Sequence, residues 1–124
     1  MARDLSLIYA DALAEIGATG PDRGVSAEDG DEMTRIYTGV WHMLEELGIA
    51  SWDLDGPVPD AAVIPLTWVL AFHAAQPFGI TGERLERLRA TGQLAGAQPS
   101  LGERLLRKLA APEYLSDVTP VVDY

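Results

Sequence analysis

Residues 60–80 read DAAVIPLTWVLAFHAAQPFGI, the densest apolar stretch of the chain, and between Asp60 and Glu83 there is no Asp, Glu, Lys or Arg. A run without charge is either a membrane span or a helix covered by protein on nearly all sides. Pro65, Thr67, His73, Gln76, Pro77, Gly79, Thr81 and Gly82 interrupt it, and no Lys or Arg flanks its start. The span reading is therefore set aside in favour of a central core helix, capped by Asp60 and ended by Pro77 and Gly79. Pro65 lacks an N–H and crowds the carbonyl of Ala61, so the first turn is expected to bend, or the helix to start nearer Ile64. Trp68, Phe72 and Leu66 supply bulk, while Thr67, Ala71, Ala74 and Ala75 leave a narrow strip on which another helix can lie close. His73 has no second His, Cys or carboxylate at helical spacing, which makes it a hydrogen-bonded core or interface residue rather than a ligand.

Upstream, Asp4 or Ser6 can open a helix whose apolar positions Leu5, Ile8, Tyr9, Ala12, Leu13 and Ile16 follow helical spacing, with Gly17 closing it. Residues 18–25 hold two Gly and a Pro and read as an irregular loop. Ser26 then begins a shortened capping box with Asp29, in an acidic first turn suited to a helix N-terminus. Met33, Ile36, Tyr37, Val40, Trp41, Leu44 and Leu47 continue for the longest helix, about 30 Å, which Gly48 ends. His42 with Glu45 and Glu46 makes one H-x-x-E, too little for a metal site and ordinary for a solvated face. The following segment, IASWDLDGPVP over residues 49–59, carries Trp52 among Asp53 and Asp55 and reads as extended. Its D-x-D-G lacks the third acid and closing Glu of a calcium loop.

Downstream, TGERLERLRA at Thr81 and LGERLLRKLA at Leu101 share G-E-R-L and read as two short helices. Thr81 is expected to cap the first, and Ser100 the second with Glu103 completing the box, with Leu85, Leu88, Leu101, Leu105 and Leu109 facing inward. The residues between them are too many for a helix-turn-helix turn. Pro112 stops the last helix. The expected architecture is all-α: a small bundle of four to five helices over residues 1–111 and an extended C-terminal tail over 112–124. Trp68, Phe72, Trp41 and Leu44 are its expected core.

The 124 residues suffice for one domain with a modest core, and 48% hydrophobic with 23% charged residues is a composition that folds. Absence of cysteine excludes disulfides and thiolate metal sites, and the start MARDLSLIYA has no signal-peptide pattern, so synthesis in the cytoplasm is expected. The net charge of −10 is unevenly placed. Residues 1–80 carry three Arg against thirteen acids, 81–111 carry five Arg and one Lys against three Glu, and the tail has three acids and no base. Such segregation suits electrostatic complementarity between copies or with a partner, with Arg84, Arg87, Arg104 and Arg107 as the candidate inter-subunit charges. No G-x-S-x-G, phosphate loop or metal-ligand cluster occurs, so neither enzyme activity nor a cofactor is expected. An isoelectric point near 4.4 argues against specific nucleic-acid binding.

A short helix ending in AEIGA, an acidic loop, a long helix ending in WHMLEELGI, an extended Trp and Asp segment, and then PDAAVIPLTWVLAFHAAQPFGI form an order of parts. It resembles the head-to-tail adaptor (connector, head-completion) proteins of tailed bacteriophages over roughly residues 4–80. The resemblance implies a virion protein of the neck, made in the host cytoplasm, that forms a dodecameric ring beneath the portal and extends the DNA channel toward the tail. Its implied partners are the portal protein, a further neck or tail protein, copies of itself, and DNA passing without sequence-specific binding; no membrane is involved. Within that frame, Asp53 and Asp55 are the candidate channel-facing acids, in a loop that could project from the bundle. Residues 113–124, with Tyr114, Leu115, Val118, Pro120, Val121, Val122 and Tyr124, form the candidate docking segment, expected to order on the portal or an adjacent copy. The alternative is a small acidic regulatory or inhibitor protein, a DNA mimic or a partner of a basic protein, which the clustered carboxylates would suit.

Overall fold

The computed structural model describes residues 2–17, 26–50 and 52–110. It is all-α: α1 (Leu5–Glu15), α2 (Ala27–Glu46), α3 (Asp60–Ala75), α4 (Gly82–Gly92) and α5 (Leu101–Ala110). Two residues at each of two places, β1 (Ala2–Arg3) and β2 (Val58–Pro59), pair antiparallel with Arg3 opposite Val58. Sequence periodicity gave no sign of this short pairing, which ties the start of the chain to the entry of α3.

The uncharged helix is the centre. α3 lies against each of the other four helices, and Leu66, Val69, Leu70, Ala71, Ala74 and Ala75 are fully buried in it. Each of its buried Leu and Val side chains contributes about 1.5–3 kcal/mol by leaving water. Only Asp60, Ala61 and Ile64 of its first turn are exposed. The apolar faces of α1 (Ile8, Tyr9, Ala12, Leu13) and α2 (Met33, Ile36, Tyr37, Val40, Leu44) are buried as their spacing predicts.

Glycine decides how helices stop and how close they come. α2 ends with Gly48 at φ +75°, where the Gly48 N–H bonds the Glu45 carbonyl and the Ile49 N–H reaches back to Leu44. α3 ends in the same way through Gly79 at φ +83°, bonded to Gln76, with Ile80 reaching back to Ala75. This is the left-handed helix stop that glycine adopts without a Cβ penalty. Elsewhere the missing side chain matters instead. A Cβ on Gly92 would stand 2.2 Å from the Trp68 carbonyl oxygen, and one on Gly102 would stand 2.5 Å from that of Thr91 and 3.1 Å from that of Pro65. Backbone therefore meets backbone where α4 and α5 cross α3.

Several expectations are corrected. Asp60 is the first residue of α3 rather than its cap, a position held by Pro59, and Pro65 sits inside a helix that already begins at Asp60. Thr81 occupies the N-cap of α4 without a side-chain capping bond. Ser26 and Ser100 do cap α2 and α5, each accepting from the N–H three residues on, Asp29 and Glu103 respectively, at 3.1 Å. The Glu103 carboxylate, however, turns to Ala95 and Arg107 and does not complete a capping box. Of the expected core residues, Leu44 is fully buried, Trp41 and Phe72 are partly buried against the core, and Trp68 is only half-buried.

Leu101, Leu105 and Leu109 were expected to face inward and instead face out. The inward row of α5 is Gly102, Leu106 and Ala110, with Gly102 and Leu106 buried. Gly102 allows the axis of α5 to approach α3 and α4 more closely than a row of leucines could, and the Glu103 bonds hold that rotation in place.

Candidate functional site

The structure presents two surfaces that carry the residues singled out by sequence. The first is the loop between α2 and β2. Schellman closure at Gly48 turns the chain so that Ile49 is buried. Trp52 then fastens the loop back on α2: its carbonyl accepts from the Trp41 indole N–H at 3.1 Å, and its own indole N–H donates to the Tyr37 hydroxyl at 2.8 Å. The Tyr37 ring lies 5.9 Å from that of Tyr9, tilted by 59°. Burial raises the pKa of both phenols, and the carboxylate of Asp55 adds to the rise at Tyr9.

From this aromatic base the chain makes a tight turn, with the Gly56 N–H bonded to the Asp53 carbonyl at 3.0 Å. Asp53 and Asp55 are both exposed on that turn, while Leu54 between them is partly buried. The alternation in–out is what an anchored loop requires: one apolar side chain inward, two carboxylates in water. The loop is thus a fixed acidic corner, not a free extension.

The second surface is that of α4 and α5, which carry five Arg and one Lys against three Glu. Arg84 is engaged within the chain, its Nη2 donating to the Glu15 carbonyl at 3.4 Å and its guanidinium packed so close to Gly17 that an added Cβ would meet it at 2.8 Å. A cation at the last turn of α1 complements the carbonyl end of that helix. Arg107 donates from Nε to Glu103 Oε2 at 3.0 Å. Arg87 and Arg104 are exposed and make no ion pair among the described residues. The four arginines therefore divide into two that hold the fold and two that face solvent.

Glu103 is the residue sequence reasoning misjudged most. It is 4% exposed, and its carboxylate accepts from the Ala95 N–H at 2.7 Å as well as from Arg107. Ala95 has a φ of +57°, unusual for a residue with a side chain, so a charged acceptor secures the turn there. A Glu three residues after Ser predicts a capping box from sequence; in the structure the preceding loop takes that acceptor instead.

His73 is half-buried, with Nδ1 donating to the Val69 carbonyl at 2.8 Å, and burial pushes its pKa below the ordinary value. His42 lies 3.7 Å from Glu45 on the exposed side of α2. Among the described residues no group of three His, Cys, Asp or Glu could hold a metal ion, and no helix is long and apolar enough to cross a membrane. The clefts are open surface depressions, such as those lined by Glu83, Glu86, Arg87 and Ala90 or by Tyr9, Ser26 and Thr34. The docking candidates Tyr114, Leu115, Val118, Pro120, Val121, Val122 and Tyr124 lie outside the described residues. No family model, curated protein or solved structure matches the chain.

Proposed function

We propose that the chain is a structural virion protein of a tailed bacteriophage, a head-to-tail adaptor that assembles as a ring beneath the portal and extends the DNA channel to the tail. The observation that carries the reading is the fixed acidic corner: Asp53 and Asp55 stand in solvent on a loop that Trp52 fastens to α2. Carboxylates held in place on a lumen wall repel phosphates and let the genome slide rather than adhere. An acidic body and a net-basic α4–α5 pair in one small bundle also suit heterologous contacts, which close into a ring when the rotation divides a full turn. The acidic-inhibitor alternative uses the same carboxylates but leaves the outward leucines of α5 without a role.

The experiment is capture of the chain by purified portal rings encoded beside it, followed by microscopy of the complex. Binding as a ring, with residues 113–124 required for it, supports the adaptor role. Failure of the intact chain to bind portal rings overturns it.

A further inference from the structure

The outward face of α5 is an unpartnered apolar stripe. Leu101, Leu105 and Leu109 follow one another at i, i+4 and i+8 and are 38%, 37% and 49% exposed. They account for three of the five large apolar side chains exposed among the described residues. Arg104 and Lys108, one residue before Leu105 and Leu109, form the adjoining outer row, exposed and without an ion pair among the described residues. The fold does not need this row, since α5 is seated by Gly102, Leu106 and Glu103.

We propose that this stripe is the docking surface for residues 113–124 of a second copy of the chain. Its occupant must be apolar, to cover the leucines, and acidic, to meet Arg104 and Lys108. Two copies of α5 facing each other would set those cations against their like, which disfavours a symmetric pairing. Residues 113–124 read EYLSDVTPVVDY, with Glu113, Asp117 and Asp123, no base, Tyr114, Leu115, Val118, Val121 and Val122 between the acids, and Tyr124 after the last. Twelve residues extend to about 40 Å, against about 12 Å from Leu101 to Leu109 along a helix, so part of the segment covers the stripe.

The chain's own segment is the poorer occupant. To lie back along Leu109, Leu105 and Leu101 it would have to reverse direction directly after α5, which ends at Ala110. A neighbour's segment needs no reversal. Passing a tail from each copy to the next is a heterologous contact of the kind that closes into a ring; in that use the inference rests on the adaptor reading.

The test is fluorescence anisotropy with a fluorescein-labelled peptide of residues 113–124, titrated into the intact chain and into the chain lacking 113–124. Saturable binding to both, in the range up to about 1 mM expected of a contact that multivalency strengthens, is the expected result. Leu105→Asp should abolish it, and Arg104→Glu with Lys108→Glu should weaken it about tenfold and reverse its salt dependence, since salt then screens a repulsion. Because these side chains are exposed, both variants should keep the wild-type circular dichroism spectrum; Leu109→Asp serves if Leu105→Asp does not. Absence of binding to either chain overturns the proposal, as does binding only to the shortened one while the intact chain is monomeric by light scattering, which would show the site filled by the chain's own segment; the same result with the intact chain associated supports the docking. Capture by portal rings is scored separately: peptide binding lost with portal capture retained overturns only the docking, and the converse only the adaptor reading.

Discussion

The indole N–H of Trp52 donates to the hydroxyl of Tyr37 at 2.8 Å, joining residues fifteen apart in sequence. The bond secures the acidic corner to α2, and Tyr37→Phe keeps the ring while removing the acceptor. Loss of a partner for a part-buried N–H should cost about 1–2 kcal/mol. It should be read as a lower denaturant midpoint together with faster amide exchange over residues 52–56. An unchanged exchange pattern would mean that the loop is held by other contacts.

Two glycine-to-alanine changes should act with opposite signs. At Gly92 the new methyl meets the Trp68 carbonyl at 2.2 Å, and overpacking against backbone should cost about 1–3 kcal/mol or more. At Gly39, in the middle of α2 with nothing within 4 Å of the new atom, alanine should stabilise by about 0.5–1 kcal/mol through helix propensity. Thermal melts of both variants check this, and equal signs would contradict the packing described.

In α3 the burial pattern ranks two truncations. Leu70 is fully buried and Trp68 is not, so Leu70→Ala should cost about 2–5 kcal/mol and Trp68→Ala less, despite removing more atoms. Urea titration followed by helical circular dichroism gives the order directly.

Glu103→Ala should cost about 1–3 kcal/mol by leaving the Ala95 N–H without its acceptor. Glu103→Gln, which retains an oxygen, should recover part of that loss. If both variants are equally unstable, the charge toward Arg107 matters more than the acceptor.

His73 predicts a pH dependence. Burial lowers its folded-state pKa below the ordinary 6.5, so around that value the unfolded chain binds more protons than the folded one. Its contribution to stability is complete above pH 6.5 and is lost as pH falls below it. Melting temperatures of the wild type and of His73→Gln, compared between about pH 7.5 and 5.5, should converge or cross toward acid. Parallel profiles would indicate that His73 titrates alike in both states.

Much of this arrangement is legible in the sequence because the informative residues act locally. The uncharged run gives α3, Gly17, Gly48 and Gly79 give helix ends, and Ser26 and Ser100 give helix starts. What was not legible depends on contacts distant in sequence. Whether Leu101 or Gly102 faces the bundle turns on how closely α5 can approach the Thr91 and Pro65 carbonyls, and no periodicity states that. Arg84 reaches the end of α1 from sixty-nine residues away. Trp52 looked like part of an open extended segment because its partners, Trp41 and Tyr37, lie on a helix already accounted for. Exposure of Asp53 and Asp55 was foreseeable from polarity alone, but the fixed position of their loop was not.

The central place of α3 also bears on the order in which the protein is made. α1 lies against α3 far more extensively than against α2, so when the first fifty residues have left the ribosome the apolar faces of both helices still lack their main partner. Ile8, Leu13, Met33 and Leu44 remain uncovered until residues 60–75 have been synthesised. The nascent chain therefore has no stable half-built stage, and its first half, expressed alone, should be captured by chaperones rather than accumulate as a folded fragment.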